Sequence, residues 1–296
     1  MNEIHLDPTK KHSFTLAIDC RFANPNGAPD DDNRPRQRHD RHGSITDVSL
    51  KRKIRDHIAT LVKLGYTPEE GNTILVDRGA LAGHSKWLKA THGDCSVKKD
   101  LDLAKFTQAA VGKFIDVRLF GYLVTIEGGK SVSYRGPVQI ADAQSTDVIS
   151  PHDVAIVAPD RSNDDKQGTF GQRWRVEDAV YIFHGDYSPA LAGYGPNITT
   201  PERARAIGKV GTTSADLQLL WKSLTDHYEA AASTRGDIDV IGLVIQTHDQ
   251  PLGSAPRQKL RNAVTVTGTP GTREVTVTNV DHVTSSVLTP LGDPYM

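Results

Sequence analysis

The stretch NPNGAPDDDNRPRQRHDRHGSITDVSLKRKIRDHIATLVK, residues 24–63, decides how the rest of this chain can be interpreted. It begins with turn-forming residues, continues through closely spaced arginines and ends in a basic sequence with helical periodicity. Between Arg34 and Lys63 there are nine Lys/Arg against three Asp/Glu, a local excess of +6 in a chain whose formal net charge is −1. The remainder of the chain is therefore acidic, and positive charge is concentrated in this stretch.

A strand is predicted directly before this stretch, over SFTLAIDCRF, Ser13–Phe22. Its apolar residues alternate with small or polar ones, the pattern of a half-buried strand. The alternation places five side chains on the buried face: Phe14, Leu16, Ile18, Cys20 and Phe22. The turn formers that follow end the strand, and residues 24–43, here called the arginine loop, are too long and too charged for a simple connection.

A helix is predicted to follow the arginine loop. Thr46 is a good N-cap, Asp47 suits the positive helix N-terminus, and Gly65 suits the C-terminal end. At 3.6-residue periodicity one face of this helix is apolar, formed by Leu50, Ile54, Ile58, Leu61 and Val62. Arg52, Arg55 and Lys63 fall on the opposite face, with Lys51 at the border, so we expect that face to be free to contact an anion.

Further along the chain, an inserted subdomain and several strands and helices are predicted. Residues 67–111 are interpreted as an inserted subdomain. The elements are a hairpin over 114–141 turning at Gly128/Gly129, a projecting hairpin over about 145–175, a strand over 176–192, a helix from Thr213 and a strand over 239–247. The late helix carries an apolar stripe of Leu217, Leu220, Trp221, Leu224 and Tyr228, and a last hairpin is predicted over Val264–Thr278. This order predicts an α+β fold with a split βαβ, ferredoxin-like core.

Composition sets the broad class of the protein. The chain has 296 residues, of which 37% are hydrophobic and 24% charged, typical of a soluble globular protein. No apolar run reaches the roughly 18 residues of a spanning helix, and the first residues lack the apolar segment of a signal peptide. Cys20 and Cys95 cannot form a disulfide framework. We expect a cytoplasmic protein without contact to a membrane.

The leading chemical interpretation of the arginine loop is phosphate binding. It carries four arginines, Arg34, Arg36, Arg38 and Arg41, and guanidinium groups match phosphate oxygens well. The alternative is a solvated basic surface paired with the neighbouring acids Asp30, Asp31 and Asp32. No strand carries the aromatic signature of sequence-reading RNA-binding sheets, so any nucleic-acid contact is expected to follow backbone and shape.

Catalytic and metal-binding patterns are weak. Asp30, Asp31 and Asp32 are potential ligands of a divalent cation, but a loop of turn-forming aspartates is the favoured explanation. His84, His92 and Cys95 lack a fourth ligand at a recognisable zinc spacing. No P-loop, dinucleotide fingerprint or G-x-S-x-G motif occurs. We therefore expect no catalytic residue, no metal and no cofactor.

The segment NPNGAPDDDNRPR…GSITDVSLKRKIRDHI closely resembles the signature of a family of CRISPR-associated proteins. This is the backbone subunit of type I Cascade, the family-seven Cas protein of the RAMP superfamily, and subtype I-C is the most similar branch. The resemblance continues in order through DVRLFG, RGPVQI, GTFGQRW, the helix around Leu219 and Trp221, and LGSAP, so it spans about residues 13–262. One departure is Ala28, where the family commonly has an acid, and this weakens a metal role for the loop.

The resemblance implies an RRM-like palm, an inserted fingers region and a protruding β-hairpin thumb. The corresponding segments here are residues 1–65 and 114–152 for the first parts of the palm, 66–113 for the fingers, 153–175 for the thumb, and 176–296 for the rest of the palm with a C-terminal hairpin. Several copies of such a subunit form a helical filament along one CRISPR RNA and present it to target DNA, with other Cascade subunits at the ends and along the belly. The implied function is antiviral defence as a ribonucleoprotein complex.

The resemblance, together with the charge pattern, suggests which residues contact the guide. Arg34, Arg36, Lys51, Arg52 and Arg55 would line its backbone, with Arg118 and Arg135 on or near the palm and Lys166, Arg173 and Trp174 on the thumb. Trp174 also fits a simpler role at the base of the hairpin, packing on the palm.

Two other functions stay open from the sequence. Relatives in other CRISPR types cut target RNA with a loop aspartate, which suggests a metal-dependent endoribonuclease using Asp19, Asp30, Asp31 or Asp32. A self-assembling structural protein without nucleic acid is the third interpretation.

Overall fold

The structure is a computed structural model. It describes residues 3–77, 109–126, 130–158, 169–191, 211–230 and 236–292. Short 3-10 helices lie at Ile4–Leu6 and Pro189–Leu191. The other elements are β1 His12–Ala23, β2 Gly27–Ala28, β3 Arg34–Pro35, β4 His42–Ile45, α1 Asp47–Lys63, α2 Ile115–Phe120, β5 Gly121–Ile126, β6 Lys130–Arg135, β7 Val138–Ile140, β8 Ala143–Val148, β9 Pro151–Ala158, β10 Thr169–Tyr187, α3 Ser214–Ala230, β11 Asp237–His248, α4 Arg257–Asn262, β12 Val264–Thr267, β13 Glu274–Val277 and β14 Val283–Leu288. In these ranges no helix combines the length and the apolar character needed to cross a membrane.

Strand β1 lies inside an antiparallel sheet, between β10 and β11. The strands follow the order β14-β11-β1-β10-β8-β4, and β7 and β9 pair with other parts of β10. Leu16 of β1 lies opposite Phe183 of β10 and Leu243 of β11, so apolar side chains line up across the three strands. The strand predicted over Ser13–Phe22 is confirmed.

The connectivity of the main elements is strand, helix, strand, strand, helix, strand. They are β1, α1, β8, β10, α3 and β11, and the four strands stand in the order β11-β1-β10-β8. Two strands joined by a helix are separated by a third, antiparallel strand, which is the split βαβ arrangement predicted from the sequence. The mixed α and β class with one large antiparallel sheet is confirmed.

Helices α1 and α3 begin where their capping residues predict. The Thr46 hydroxyl accepts a 3.2 Å hydrogen bond from the Ser49 amide at the start of α1. At α3, the Thr213 amide donates to the Asp216 carboxylate at 2.8 Å and the Asp216 amide donates to the Thr213 hydroxyl at 3.2 Å, which forms a capping box. Both predicted starts are confirmed.

The two helices cover one face of the sheet. The core contains four apolar side chains of α1, the five predicted residues of α3 and the apolar face of β1: Leu50, Ile54, Ile58, Leu61, Leu217, Leu220, Trp221, Leu224, Tyr228, Phe14, Leu16, Ile18 and Cys20. The Phe14 and Trp221 rings meet edge to face at 5.4 Å. Cys20 is a free thiol whose pKa burial raises to about 12, so it acts as a small apolar residue.

The other face of β1 is buried as well, which the alternating sequence does not predict. Ser13, Thr15 and Asp19 are each less than a tenth exposed, because α4 and the β12–β13 hairpin lie over this side. Asp19 accepts a hydrogen bond from the Gly271 amide at 3.2 Å and pairs with Arg273, so the hairpin is fixed to the sheet by charge. The expectation of a half-buried strand is wrong for this reason.

Several other predictions need correction. Ile115–Phe120, predicted as the start of a strand, forms the short helix α2, which ends at Gly121 with φ 82°. The hairpin after it does form, but β5 and β6 make a two-stranded sheet of their own, while Val138–Ile140 joins β10. The last predicted hairpin is confirmed as β12–β13. Helix α4 and strand β14 were not predicted.

The projecting hairpin is present as a pair of strands. β9 pairs with the first part of β10, from Thr169 opposite Ala158 to Val176 opposite Pro151. Strand β1 pairs with β10 only from Val176 onward, where Val176 faces Ala23. The β9–β10 pair therefore continues beyond the end of β1. Residues 159–168 and 192–210 and most of the inserted subdomain, residues 78–108, lie outside the described residues.

Two buried ion pairs connect α2 to the helices on either side. Arg55 of α1 donates to Asp116 at 2.9 Å, and Asp116 also accepts from the Leu75 and Val76 amides at 2.9 and 3.1 Å. Arg118 forms two hydrogen bonds with Asp216, at 2.7 and 3.1 Å. Because all four side chains are largely buried, each charge depends on its partner.

We predict that Arg118→Met lowers the free energy of unfolding by about 3–5 kcal/mol, because it leaves the Asp216 carboxylate buried without its cation. Urea unfolding followed by circular dichroism measures this loss. The matched control is Arg257→Met, which removes a 3.1 Å pair with Asp186 whose arginine is 68% exposed and should cost less than about 1 kcal/mol. Equal losses in the two variants would contradict the structural role given to Arg118.

Candidate nucleic-acid interface

The arginine loop has regular backbone structure in its first half. β2 pairs with β3, with Gly27 opposite Pro35 and Ala28 opposite Arg34. The turn between them places Asp32 and Asn33 in the left-handed region, with φ 47° and 57°. A Cβ on Gly27 would lie 2.8 Å from the Asn33 carbonyl oxygen, so this close approach needs glycine. The three exposed aspartates, Asp30 to Asp32, thus belong to a tight hairpin turn.

The second half of the loop is tied to the sheet. The Arg36 amide donates to the Asn26 carbonyl at 3.1 Å, and the Arg36 carbonyl accepts from the Ser44 amide at 2.9 Å. The Asn26 side chain in turn accepts from the Thr46 amide at 2.9 Å, at the N-cap of α1. Strand β4 then pairs with β8. The arginine backbone is consequently held in place between the sheet edge and α1.

Arg34 and Trp174, predicted from distant parts of the sequence, are brought together. The Arg34 guanidinium lies over the Trp174 ring at 4.2 Å from its centroid. Trp174 belongs to β10, where it faces Asp153 of β9, so the contact joins the arginine loop to the β9–β10 pair. Trp174 is half-buried, which agrees with the predicted packing role at the base of the hairpin.

N–H donors at this junction lack acceptors within the described residues. They are Arg36 Nε, Trp174 Nε1 and Arg175 Nε, all buried. Strand β3, which precedes Arg36, packs against β10, which carries the other two. Trp174 and Arg175 are adjacent in the strand, so their side chains lie on opposite faces of the sheet. Since buried donors are nearly always paired in native proteins, Arg36 Nε and Trp174 Nε1 are each suited to an acceptor-rich partner such as a phosphate.

The cations of α1 are arranged differently from the prediction. Lys51 pairs with Asp47 at 2.9 Å, Arg52 pairs with Asp56 at 3.3 Å, and Arg55 is in the buried pair with Asp116. Arg52 also donates to the Val76 carbonyl. The expectation that this face is free to contact an anion is therefore wrong for Arg52 and Arg55, and Lys51 at its border is paired as well. Their contact with RNA stays a prediction, and it would compete with carboxylates already in place.

The remaining predicted residues are spread over the fold. Arg118 is buried against Asp216 and does not face an open surface. Arg135 is exposed at the end of β6, opposite Gly121 of β5, and Arg173 is half-buried beside Trp174. Lys166 lies outside the described residues. The structure thus brings together Arg34 and Trp174, and it places Arg55 and Arg118 in the interior.

A cleft next to the arginine loop contains a residue that the sequence did not single out. It measures about 510 Å³ and is lined on one side by Arg38 and Gln144 and on the other by Arg261 of α4. His184 also lines it, and burial, with the charge of Arg261, lowers the pKa of His184 to about 4, so this ring is neutral near pH 7. Arg38 donates to Gln144 at 2.9 Å. In the sequence, Arg261 follows shortly after the LGSAP motif, and this proximity is the signal that could have identified it.

The residues considered for metal binding do not form a site in the described part of the chain. No group of three or more His, Cys, Asp or Glu side chains there is close enough to hold an ion. Asp19 is nearly buried and bonded to Arg273 and the Gly271 amide. His84, His92 and Cys95 lie outside the described residues. The β2–β3 turn therefore explains Asp30, Asp31 and Asp32, and the bonds to Arg273 and Gly271 explain Asp19.

Comparison with known proteins gives a family. The family model described as CRISPR-associated protein Cas7 matches residues 10–286. A curated protein named CRISPR-associated protein Cas7, from Haloferax volcanii, is 28% identical over 200 residues, which are 59% of this chain. The match spans 56% of that relative, little more than half of its length.

Solved structures give only a distant likeness. A chain of a CRISPR RNA-guided surveillance complex in a pre-nicking state has a TM-score of 0.44 and 13% identity, covering 81% of this chain and 79% of that chain. A chain of another CRISPR RNA-guided surveillance complex has a TM-score of 0.42 and 14% identity, covering 81% and 71%. A likeness at this level does not identify a family, whereas the family model does. Because that model matches nearly the whole chain, the protein belongs to the family of CRISPR-associated protein Cas7.

Proposed function

We propose that this protein is the guide-RNA-binding backbone subunit of a CRISPR surveillance complex of the Cascade type. The observation that carries the proposal is the arginine loop, held on rigid backbone with Arg34 stacked on Trp174, in a member of the Cas7 family. Guanidinium groups fixed in this way suit phosphate oxygens and do not depend on base identity. A subunit that must hold any guide sequence needs this kind of contact.

The finer architecture follows the sequence prediction. In the proposal the main sheet with α1 and α3 is an RRM-like palm, the β9–β10 pair is the thumb, and residues 66–113 are the fingers. The continuation of β9 and β10 beyond β1 supports a projecting thumb. The complex is of type I, with subtype I-C as the expected branch.

RNA would run from the Arg34–Trp174 contact along the arginine loop. The donors Arg36 Nε and Trp174 Nε1 are suited to phosphate oxygens, and Arg261 extends the positive surface into the neighbouring cleft, where Arg38 already lies 3.6 Å from Asp40. Copies of the subunit would bind side by side in a filament, with other Cascade subunits at its ends, and the guide would pair with target DNA. A net charge near zero favours such packing, since a strongly basic surface would repel its own copies.

We predict that the variant Arg34→Gln/Arg36→Gln binds mixed-sequence single-stranded RNA more weakly, with an equal loss for different sequences. The slope of log affinity against log salt should fall by about 0.7 for each phosphate contact removed. Fluorescence anisotropy over a salt series measures both quantities. Arg34→Lys should keep most of the slope and lose affinity, because lysine keeps the charge and lacks the flat group that stacks on Trp174.

The matched control for this experiment is Lys10→Gln, which removes one positive charge just before the other end of β1. It should leave the slope unchanged. An unchanged affinity and slope in the double arginine variant would remove the arginine loop from the RNA-binding surface.

We also propose that the subunit is not a nuclease, because Asp19 is engaged by Arg273 and the acids of the β2–β3 turn are explained by its backbone. Target RNA paired to the bound guide should remain intact with and without magnesium, as seen on a denaturing gel. Magnesium-dependent cuts that disappear in Asp30→Asn/Asp31→Asn/Asp32→Asn would show that the subunit is an endoribonuclease.

A further inference from the structure

Phe22 breaks the alternation of strand β1. The sequence places it on the buried face with Phe14, Leu16, Ile18 and Cys20, but in the structure it is 58% exposed, whereas those residues are at most 2% exposed. Its φ is 45°, in the left-handed region that bulky residues rarely adopt. The large apolar side chain is thus turned out of the core at a cost in backbone strain. Such outliers occur most often at functional sites.

The surrounding backbone forces this conformation. Ala23, the next residue, is buried and faces Val176 of β10. Gly236, with φ 130°, lies so close that a Cβ there would collide with the Phe22 carbonyl oxygen and with Ala23. With Ala23 turned inward and β11 packed this tightly, the Phe22 side chain is left in solvent.

Phe22 lies beside the proposed RNA surface. Ala23 faces Val176, two residues from Trp174, which is about 7 Å along an extended strand. On the other side, the Asn24 side chain donates to the Asn33 carbonyl at 2.6 Å, next to Arg34. The exposed aromatic ring, the Arg34–Trp174 contact and the arginine loop therefore share one end of the sheet.

The charged groups near Phe22 determine what part of a nucleotide suits it. Glu177, next to Val176 on β10, is exposed. Arg21 is paired with Asp239 at 2.7 Å and lies 3.9 Å from Asp237, and Asp178 is paired with Arg273 at 2.7 Å. The nearby arginines are thus neutralised by acids, which makes the immediate surroundings of Phe22 unfavourable for a phosphate. An uncharged base has no such penalty, and aromatic rings bind bases by stacking.

We propose that Phe22 is a stacking site for an unpaired nucleobase of the RNA whose phosphates the arginine loop binds. The inference rests on the proposed function. Stacking on one phenyl ring tolerates any base, because every base has a flat aromatic face, so the site fits a subunit that holds guides of any sequence. Phosphate contacts at the arginine loop and one stacked base at Phe22 together would fix the position of a nucleotide on each copy.

The test is Phe22→Asn, because asparagine tolerates the left-handed conformation and removes the ring without emptying any part of the core. Its melting temperature should equal or exceed that of the wild type. Its affinity for mixed-sequence single-stranded RNA should fall about tenfold with an unchanged salt slope, since the loss is stacking and not charge. Phe22→Tyr, which keeps an aromatic ring, should bind as the wild type does.

An abasic RNA of the same length separates base from backbone. Wild-type protein should bind it about tenfold more weakly than normal RNA, and Phe22→Asn should bind the two RNAs alike. Leu252→Asn is the matched control, because Leu252 is 81% exposed and lies beyond the opposite end of β1, near Lys11. It should change none of these affinities.

Normal binding of base-containing RNA by Phe22→Asn would overturn the inference. If Arg34→Gln/Arg36→Gln then still lowers the salt slope, the proposed function stands without the stacking site. Failure of the wild type to bind any RNA would overturn the proposed function itself. Loss of assembly by Phe22→Asn on normal and abasic RNA alike, measured by light scattering, would assign Phe22 to contact between copies and so overturn the stacking site.

Discussion

The pairing of a long strand with a shorter one determines where the candidate interface lies. β10 has 19 residues and β1 has 12, and their pairing ends where Val176 meets Ala23. Beyond that point β10 pairs with β9 and carries Trp174, while the chain leaving β1 becomes the arginine loop. Arg34 reaches Trp174 because both segments start from the same end of the sheet. The same strand end turns Phe22 into solvent, so the offset between the two strands accounts for three of the features on which the proposed function depends.

Ion pairs decide which of the many cations are available. Arg55 of α1 is bonded to Asp116 of α2, and Arg118 of α2 is bonded to Asp216 of α3. These two ion pairs hold α2 between the two large helices. In the loop, Arg34 lies on an aromatic ring, a contact that leaves its charge uncompensated, whereas Arg38 bonds the Gln144 amide and also lies 3.6 Å from the Asp40 carboxylate. Positive charge counted along a sequence therefore overstates the surface available to an anion, since a cation that already has a carboxylate offers little to a phosphate.

Much of the fold could be predicted from the sequence, because local signals agree with the final packing. The strand at β1, the caps at Thr46 and Thr213 and the turn formers at the last hairpin are each signalled over a few residues, and each is confirmed. The predictions failed where distant segments decide the outcome. Burial of both faces of β1 depends on α4 and the β12–β13 hairpin, the helix at Ile115–Phe120 is fixed by ion pairs to α1 and α3, and the exposure of Phe22 depends on Gly236. At the interface, the residue types alone predicted the arginine loop. No local pattern shows that Arg34 stacks on Trp174 whereas Arg55 is paired with Asp116.

The central claim is that this protein holds a guide RNA through contacts that ignore its sequence. The most direct test is to purify the protein from cells that contain a CRISPR array and to sequence the RNA that remains bound. The account predicts RNAs bounded by repeat sequence, with every spacer of the array present in proportion to its abundance. Recovery of bulk cellular RNA, of a single preferred spacer or of no RNA would contradict it.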